Sequence, residues 1–72
     1  MDQVKWGRRI KAFRKLKGYT QEAFAKRMNV SLSIVSQIER GKRWPSDEFI
    51  QQTTETLGVS KAELRPVDKK DY

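Results

Sequence analysis

The sequence predicts an all-α fold, a compact domain of five helices, and three observations carry that prediction. Apolar residues recur three and four positions apart along the longer segments, the spacing of a helix with one buried face. Helix starts and stops punctuate the chain: Thr20, Ser31, Ser46 and Ser60 stand where N-caps are needed, and Gly18, Asn29, Gly41 and Gly58 where helices must end. Nothing alternates with period two over a useful length, so no strand is expected.

The first helix carries Trp6, Ile10, Phe13 and Leu16 on its expected inner face and ends at Gly18, with Lys15 and Lys17 suiting the negative end of its dipole. Thr20 caps a short second helix that buries Phe24, Ala25 and Met28, Ala25 being small enough to let another helix approach. Asn29-Val30-Ser31 then reads as a tight turn: Asn29 tolerates positive φ, Val30 is a lone apolar plug and Ser31 caps the next helix. The third helix runs from Leu32 to about Arg40, burying Val35 and Ile38 while Ser33, Ser36 and Gln37 face away, and Gly41 stops it. After the loop Lys42-Arg43-Trp44-Pro45, Ser46 caps a fourth helix with Asp47 and Glu48 in its first turn and Phe49, Ile50 and Leu57 inward. Ser60-Lys61-Ala62-Glu63 matches a capping box, with Leu64 packing back. The expected core is Ile10, Phe13, Phe24, Ala25, Val30, Val35, Ile38, Phe49 and Leu57. Residues 1–64 form the expected domain and 65–72, with a proline, mixed charges and little apolar content, a flexible tail.

Composition narrows the function. A chain of 72 residues is one domain with a small core, marginally stable unless its helices pack economically or two copies associate. It contains no cysteine and no histidine, which excludes a disulfide framework, a thiol nucleophile and the commonest zinc sites. Asp and Glu are scattered over caps and helix faces, and there is no glycine-rich phosphate loop, so no enzyme, catalytic residue, metal or cofactor is expected. The charged start is not followed by an apolar run, which points to a cytoplasmic chain without a membrane partner.

The net charge of +7 is unevenly placed. Residues 1–43 hold 12 Lys/Arg against 3 Asp/Glu, whereas residues 44–72 hold 4 against 6. A basic surface concentrated in one part of the chain favours a polyanion, and DNA, RNA or an anionic membrane would each satisfy that argument alone. Caps and stops at every helix speak for a packed globule over a membrane-surface peptide.

The segments Thr20-Gln21-Glu22-Ala23-Phe24-Ala25, Val30-Ser31, Ser36-Gln37-Ile38-Glu39-Arg40-Gly41-Lys42 and Pro45-Ser46 resemble the Cro/C1-type (XRE) helix-turn-helix family, over about residues 6–64. The resemblance implies a five-helix, lambda-repressor-like domain that binds double-stranded operator DNA as a homodimer and regulates transcription, most often as a repressor, with the third helix in the major groove. A protein partner would be added if the chain serves as an antitoxin. The chain departs from the family pattern in having Asn29 where the turn commonly has glycine, an apolar start to the third helix, and Trp44 in its loop.

Roles for individual residues follow. Gln37 faces out from the third helix, and its amide donor and acceptor match the edge of adenine. Ser33 and Ser36 share that face and can reach bases or phosphates; Leu32 and Ile34 either touch thymine methyls or pack locally. Arg40, Lys42 and Arg43 follow the helix and would clamp the sugar-phosphate backbone. The resemblance implies a phosphate contact for Gln21 and a partly buried structural ion pair between Arg14 and Glu39. Trp6 and Trp44 are read as packing residues, although the loop of Trp44 can also meet DNA or a second subunit.

Overall fold

Where the periodicity of the first segment places Leu16 on the inner face, the structure turns it out to solvent, 74% exposed. The computed structural model describes residues 2–66 and contains five helices: α1 (Asp2–Leu16), α2 (Gln21–Met28), α3 (Leu32–Glu39), α4 (Asp47–Leu57) and α5 (Lys61–Leu64). The buried residues of α1 are Gly7, Ile10 and Arg14, so its inner stripe is centred to one side of the row Trp6, Phe13 and Leu16. At about 100° per residue, Leu16 falls on the far side of the helix from that stripe. A glycine and an arginine carry no apolar signal, which is why spacing alone put the stripe in the wrong place.

The core consists of Ile10, Phe24, Ala25, Met28, Val35, Ile38, Phe49, Ile50, Leu57 and Leu64. Phe13 and Val30, expected within it, pack against its margin together with Trp6, Tyr19, Ile34 and Val59. Phe24 sits at the centre, fully buried, with the rings of Tyr19 and Phe49 edge-on at centroid distances of 6.2 and 6.3 Å. That arrangement sets the positive ring edge against the negative face and adds to the area each ring buries. Thr53 is buried as well, and its hydroxyl donates to the Phe49 carbonyl at 2.8 Å, so no polar group is stranded there.

Four of the helices end on a residue in the left-handed region: Gly18, Asn29, Gly41 and Gly58. Among the described residues no helix is long and apolar enough to cross a membrane. Residues 67–72, most of the segment expected to be a flexible tail, lie outside the described residues.

A close approach lies between α1 and α3. A Cβ at Gly7 would stand 2.2 Å from the Ile38 carbonyl oxygen and 3.1 Å from that of Glu39. The first turn of α1 then grips the end of α3, as Gln3 Nε2 donates to the Gly41 carbonyl at 2.7 Å. Glycine is needed at 41 twice over, by its φ of +76° and by Val4, whose Cγ2 would lie 2.8 Å from an added Cβ. Gly7 therefore sets how near α3 comes to α1, and α1 holds α3 at its C-terminal end.

The last helix is closed by the capping box. The Ser60 N–H donates to Glu63 Oε1 at 2.8 Å and the Glu63 N–H to Ser60 Oγ at 3.0 Å. Bonding to the Ser60 N–H, then to its hydroxyl, with a smaller contribution from the charge of Lys17, holds the Glu63 carboxyl below its ordinary range. Since the folded pKa is the lower one, the cap is fully formed above the ordinary glutamate value and is lost as pH falls through the depressed value. In an NMR titration Glu63 should therefore protonate at lower pH than glutamate in an unstructured peptide, and Ser60→Ala, which removes the hydroxyl but keeps the backbone N–H, should move it part of the way back. Titration at the peptide value in the unaltered chain would mean that the box is open in solution.

Candidate nucleic-acid interface

Two capped helices and the turn between them build the site. Thr20 accepts from the Ala23 N–H at 3.0 Å and so starts α2. At its other end Asn29 adopts φ 58°, ψ 42°, its N–H bonding the Lys26 carbonyl while the Val30 N–H reaches that of Ala25. This pair of bonds is a Schellman closure, and asparagine is the residue besides glycine that accepts its left-handed position. Val30 is turned back against the core, and Ser31 begins α3 by accepting from the Ile34 N–H at 3.2 Å.

On α3, Val35, Ile38 and Glu39 are buried. Leu32 is 42% exposed, Ser33 is exposed, and Ser36 and Gln37 are half-buried along the outer face. Ile34 packs against the core, so of the two readings open for it the local-packing one holds in the free protein. The helix ends in a second Schellman closure, with the Gly41 N–H on the Ile38 carbonyl (3.0 Å) and the Lys42 N–H on that of Gln37 (2.8 Å). Arg40, Lys42 and Arg43 all emerge exposed from this turn.

The closure brings Arg43 back over the helix. Its Nε–H donates to Gln37 Oε1 at 2.9 Å, and Gln37 Nε2 donates to Ser33 Oγ at 3.2 Å. Two residues read as base contacts, Ser33 and Gln37, and one read as a phosphate contact, Arg43, thus form one hydrogen-bonded row. Sequence spacing cannot reveal it, because Arg43 lies beyond the helix and reaches Gln37 only through the left-handed turn at Gly41.

Behind the outer face of α3 lies a charged anchor. Arg14 Nε donates to Glu39 Oε2 at 2.6 Å and Arg14 Nη2 to Oε1 at 3.0 Å, the side chains being 6% and 1% exposed. Arg14 Nη1 is used by the Tyr19 carbonyl at 2.6 Å, and Gln21 Nε2 adds a third donor to the carboxylate at 3.0 Å from Oε1. One carboxylate on α3 therefore ties that helix to α1 and α2. Gln21, read as a phosphate contact, has its amide nitrogen occupied by Glu39 and keeps its backbone N–H in the exposed first turn of α2. A bidentate guanidinium and a further amide satisfy the charge in place, which is what a buried carboxylate needs.

Trp6 packs against the core, whereas Trp44, also read as a packing residue, is 56% exposed. Two shallow grooves flank it, one shared with Trp6, Pro45 and Ile50, the other with Val30, Ile34 and Phe49. A loop residue between two helices lacks the second wall that would cover its ring.

A helix-turn-helix family model matches residues 10–64, the span from the core of α1 to the end of α5. The chain belongs to the Cro/C1-type helix-turn-helix family. It is similar to the uncharacterized HTH-type transcriptional regulator YazB of Bacillus subtilis, 55% identical over 69 residues that cover 96% of this chain and 100% of that one. It is also similar to the HTH-type transcriptional regulator SinR of Bacillus subtilis, 40% identical over 55 residues, 75% of this chain but only 50% of SinR. A solved structure of SinR in complex with DNA superposes with a TM-score of 0.77 at 38% identity, covering 82% of this chain and 95% of that one. The restriction-modification controller protein C.AhdI of Aeromonas hydrophila superposes with a TM-score of 0.82 at 35% identity, covering 88% and 96%. In this helix-turn-helix α2 and α3 are the two helices of the motif, α3 is the second of them, and the fold is the five-helix lambda-repressor type.

Proposed function

We propose that this protein is a sequence-specific transcriptional regulator that reads double-stranded DNA with α3 in the major groove. The observation that carries the proposal is the outer face of α3: Ser33, Ser36 and Gln37 stand in a row of polar side chains beside the basic turn Arg40 to Arg43, on a helix anchored from behind by Arg14 and Glu39. The SinR complex with DNA, built on the same fold, supports it. Gln37, Ser33, Ser36 and Leu32 are the base-reading residues; Arg40 and Lys42, with the N-terminal turn of α2 at Gln21, bear on the phosphates. The chain acts as a homodimer on DNA, each copy reading one half of an inverted repeat, with half-site centres about 34–36 Å apart.

Selection of bound sequences from a random DNA pool tests all of this, because the recovered motif reports sequence, symmetry and half-site spacing together. Gln37→Ala is then expected to weaken binding to the selected site by about 1–3 kcal/mol per half-site while sparing a scrambled duplex. Lys42→Ala, removing a charge that meets phosphate, should lower both affinities alike and flatten their dependence on salt. Equal losses on both duplexes for Gln37→Ala would remove it from the reading face.

A further inference from the structure

Part of the hydrogen-bonding capacity on the outer face of α3 around Gln37 is already committed within the protein. The Gln37 amide has two N–H groups and an oxygen with two lone pairs. One N–H is spent on Ser33 Oγ, and one lone pair accepts from Arg43 Nε. The amide can no longer turn end for end without losing both bonds, so its orientation is set before any DNA arrives. At its nitrogen end it shows an N–H. At its oxygen end it shows the guanidinium of Arg43, whose terminal N–H groups form no other hydrogen bond within the described residues.

We infer that Arg43 is a specificity-determining residue, which by holding the Gln37 oxygen and placing its own N–H groups beside it biases the Gln37–Arg43 pair toward the two acceptors of a guanine edge. The inference rests on the reading that α3 enters the major groove. A free glutamine prefers adenine because its oxygen accepts from N6 while its nitrogen donates to N7. With Arg43 in place, one lone pair of that oxygen is already taken, and the N6 amino group of adenine would approach the other only alongside the N–H groups of the guanidinium. Guanine offers acceptors at both positions, N7 and O6, and each finds an N–H. Facing donor with donor leaves buried groups unpaired, whereas acceptors are satisfied, so the pair discriminates by what it repels as well as by what it bonds. Arg43 takes this part although it lies outside α3, since the Gly41 turn and the Lys42 N–H bond to the Gln37 carbonyl fold the chain back onto the helix.

Pool selection with the unaltered protein, Gln37→Ala and Arg43→Ala decides the matter. The unaltered protein should select guanine at one position of each half-site. Both variants should lose that preference at the same position by about tenfold or more, and Arg43→Ala should shift it toward adenine as the amide becomes free. Arg43→Lys should not restore guanine, because an ammonium lacks the fork that holds the glutamine with one nitrogen and presents donors with the others. If Arg43→Ala weakens every sequence by the same factor with base preferences unchanged, Arg43 is a phosphate contact only and the inference fails while the groove reading stands. If the unaltered protein yields no motif at all, the groove reading fails and the inference with it. NMR of the free protein gives a readout without DNA: the Arg43 Nε–H should exchange with water more slowly than that of an arginine in an unstructured peptide, and equal exchange rates would overturn the pairing.

Discussion

Gly7→Ala is expected to destabilise the fold severely even though alanine is the better helix former. In an exposed helix interior the exchange would gain about 1 kcal/mol. Here the new Cβ would stand 2.2 Å from the Ile38 carbonyl oxygen, a backbone atom at the end of α3 that no rotamer change can move. The two helices must separate, and separation stretches the Gln3 bond to Gly41 and the Arg14 bonds to Glu39, both of which span the same interface. Overpacking of this kind costs about 1–3 kcal/mol and occasionally more. For a domain this small, whose core rarely supplies more than about 3–5 kcal/mol, that is most of the stability. Urea or thermal unfolding of the two proteins checks it: a large drop in midpoint is expected, and a gain of the size that helix propensity alone provides would show that α1 and α3 do not approach so closely in solution.

Arg14→Ala should have a comparable effect by a different route. The Glu39 carboxylate would keep the Gln21 amide and lose both guanidinium bonds, leaving a charge that is 1% exposed largely unpaired. Breaking a buried pair by removing one partner costs about 3–5 kcal/mol, whereas replacing both by apolar residues of similar volume is often neutral or better. Arg14→Met combined with Glu39→Met is accordingly expected to recover much of the stability lost in Arg14→Ala. Because the guanidinium faces inward, DNA affinity measured at a temperature where every variant is folded should change far less than the unfolding midpoint. Normal stability with lost binding would move Arg14 from the anchor to the DNA face.

These two expectations differ in how far the sequence anticipates them. The Arg14–Glu39 pair is implied by family resemblance, and the structure adds Gln21 and the Tyr19 carbonyl as its further partners. Gly7 gives no sequence signal, since a glycine within a helical pattern reads as a weakness and not as a contact. The same blindness displaced the buried stripe of α1 and put Leu16 inside. At the reading face, helical spacing brought Ser33 and Gln37 to one side of α3, but linked neither of them to Arg43.

The sequence by itself determined the five helices, their caps and stops, the turn at Asn29 and the basic character of the first 43 residues. Those features are local: a serine accepts an N–H two or three residues on, a left-handed residue closes the turn behind it, and neither depends on what the helix packs against. Only the tertiary structure decided which side of α1 is buried, how near Gly7 lets α3 come, which donors share the Glu39 carboxylate, and that Arg43 folds back onto Gln37. Each of these depends on atoms far apart in sequence or across a chain reversal. Their distances are set by how side-chain volumes fill a common interior, a property of the packed whole that no single window of the chain contains.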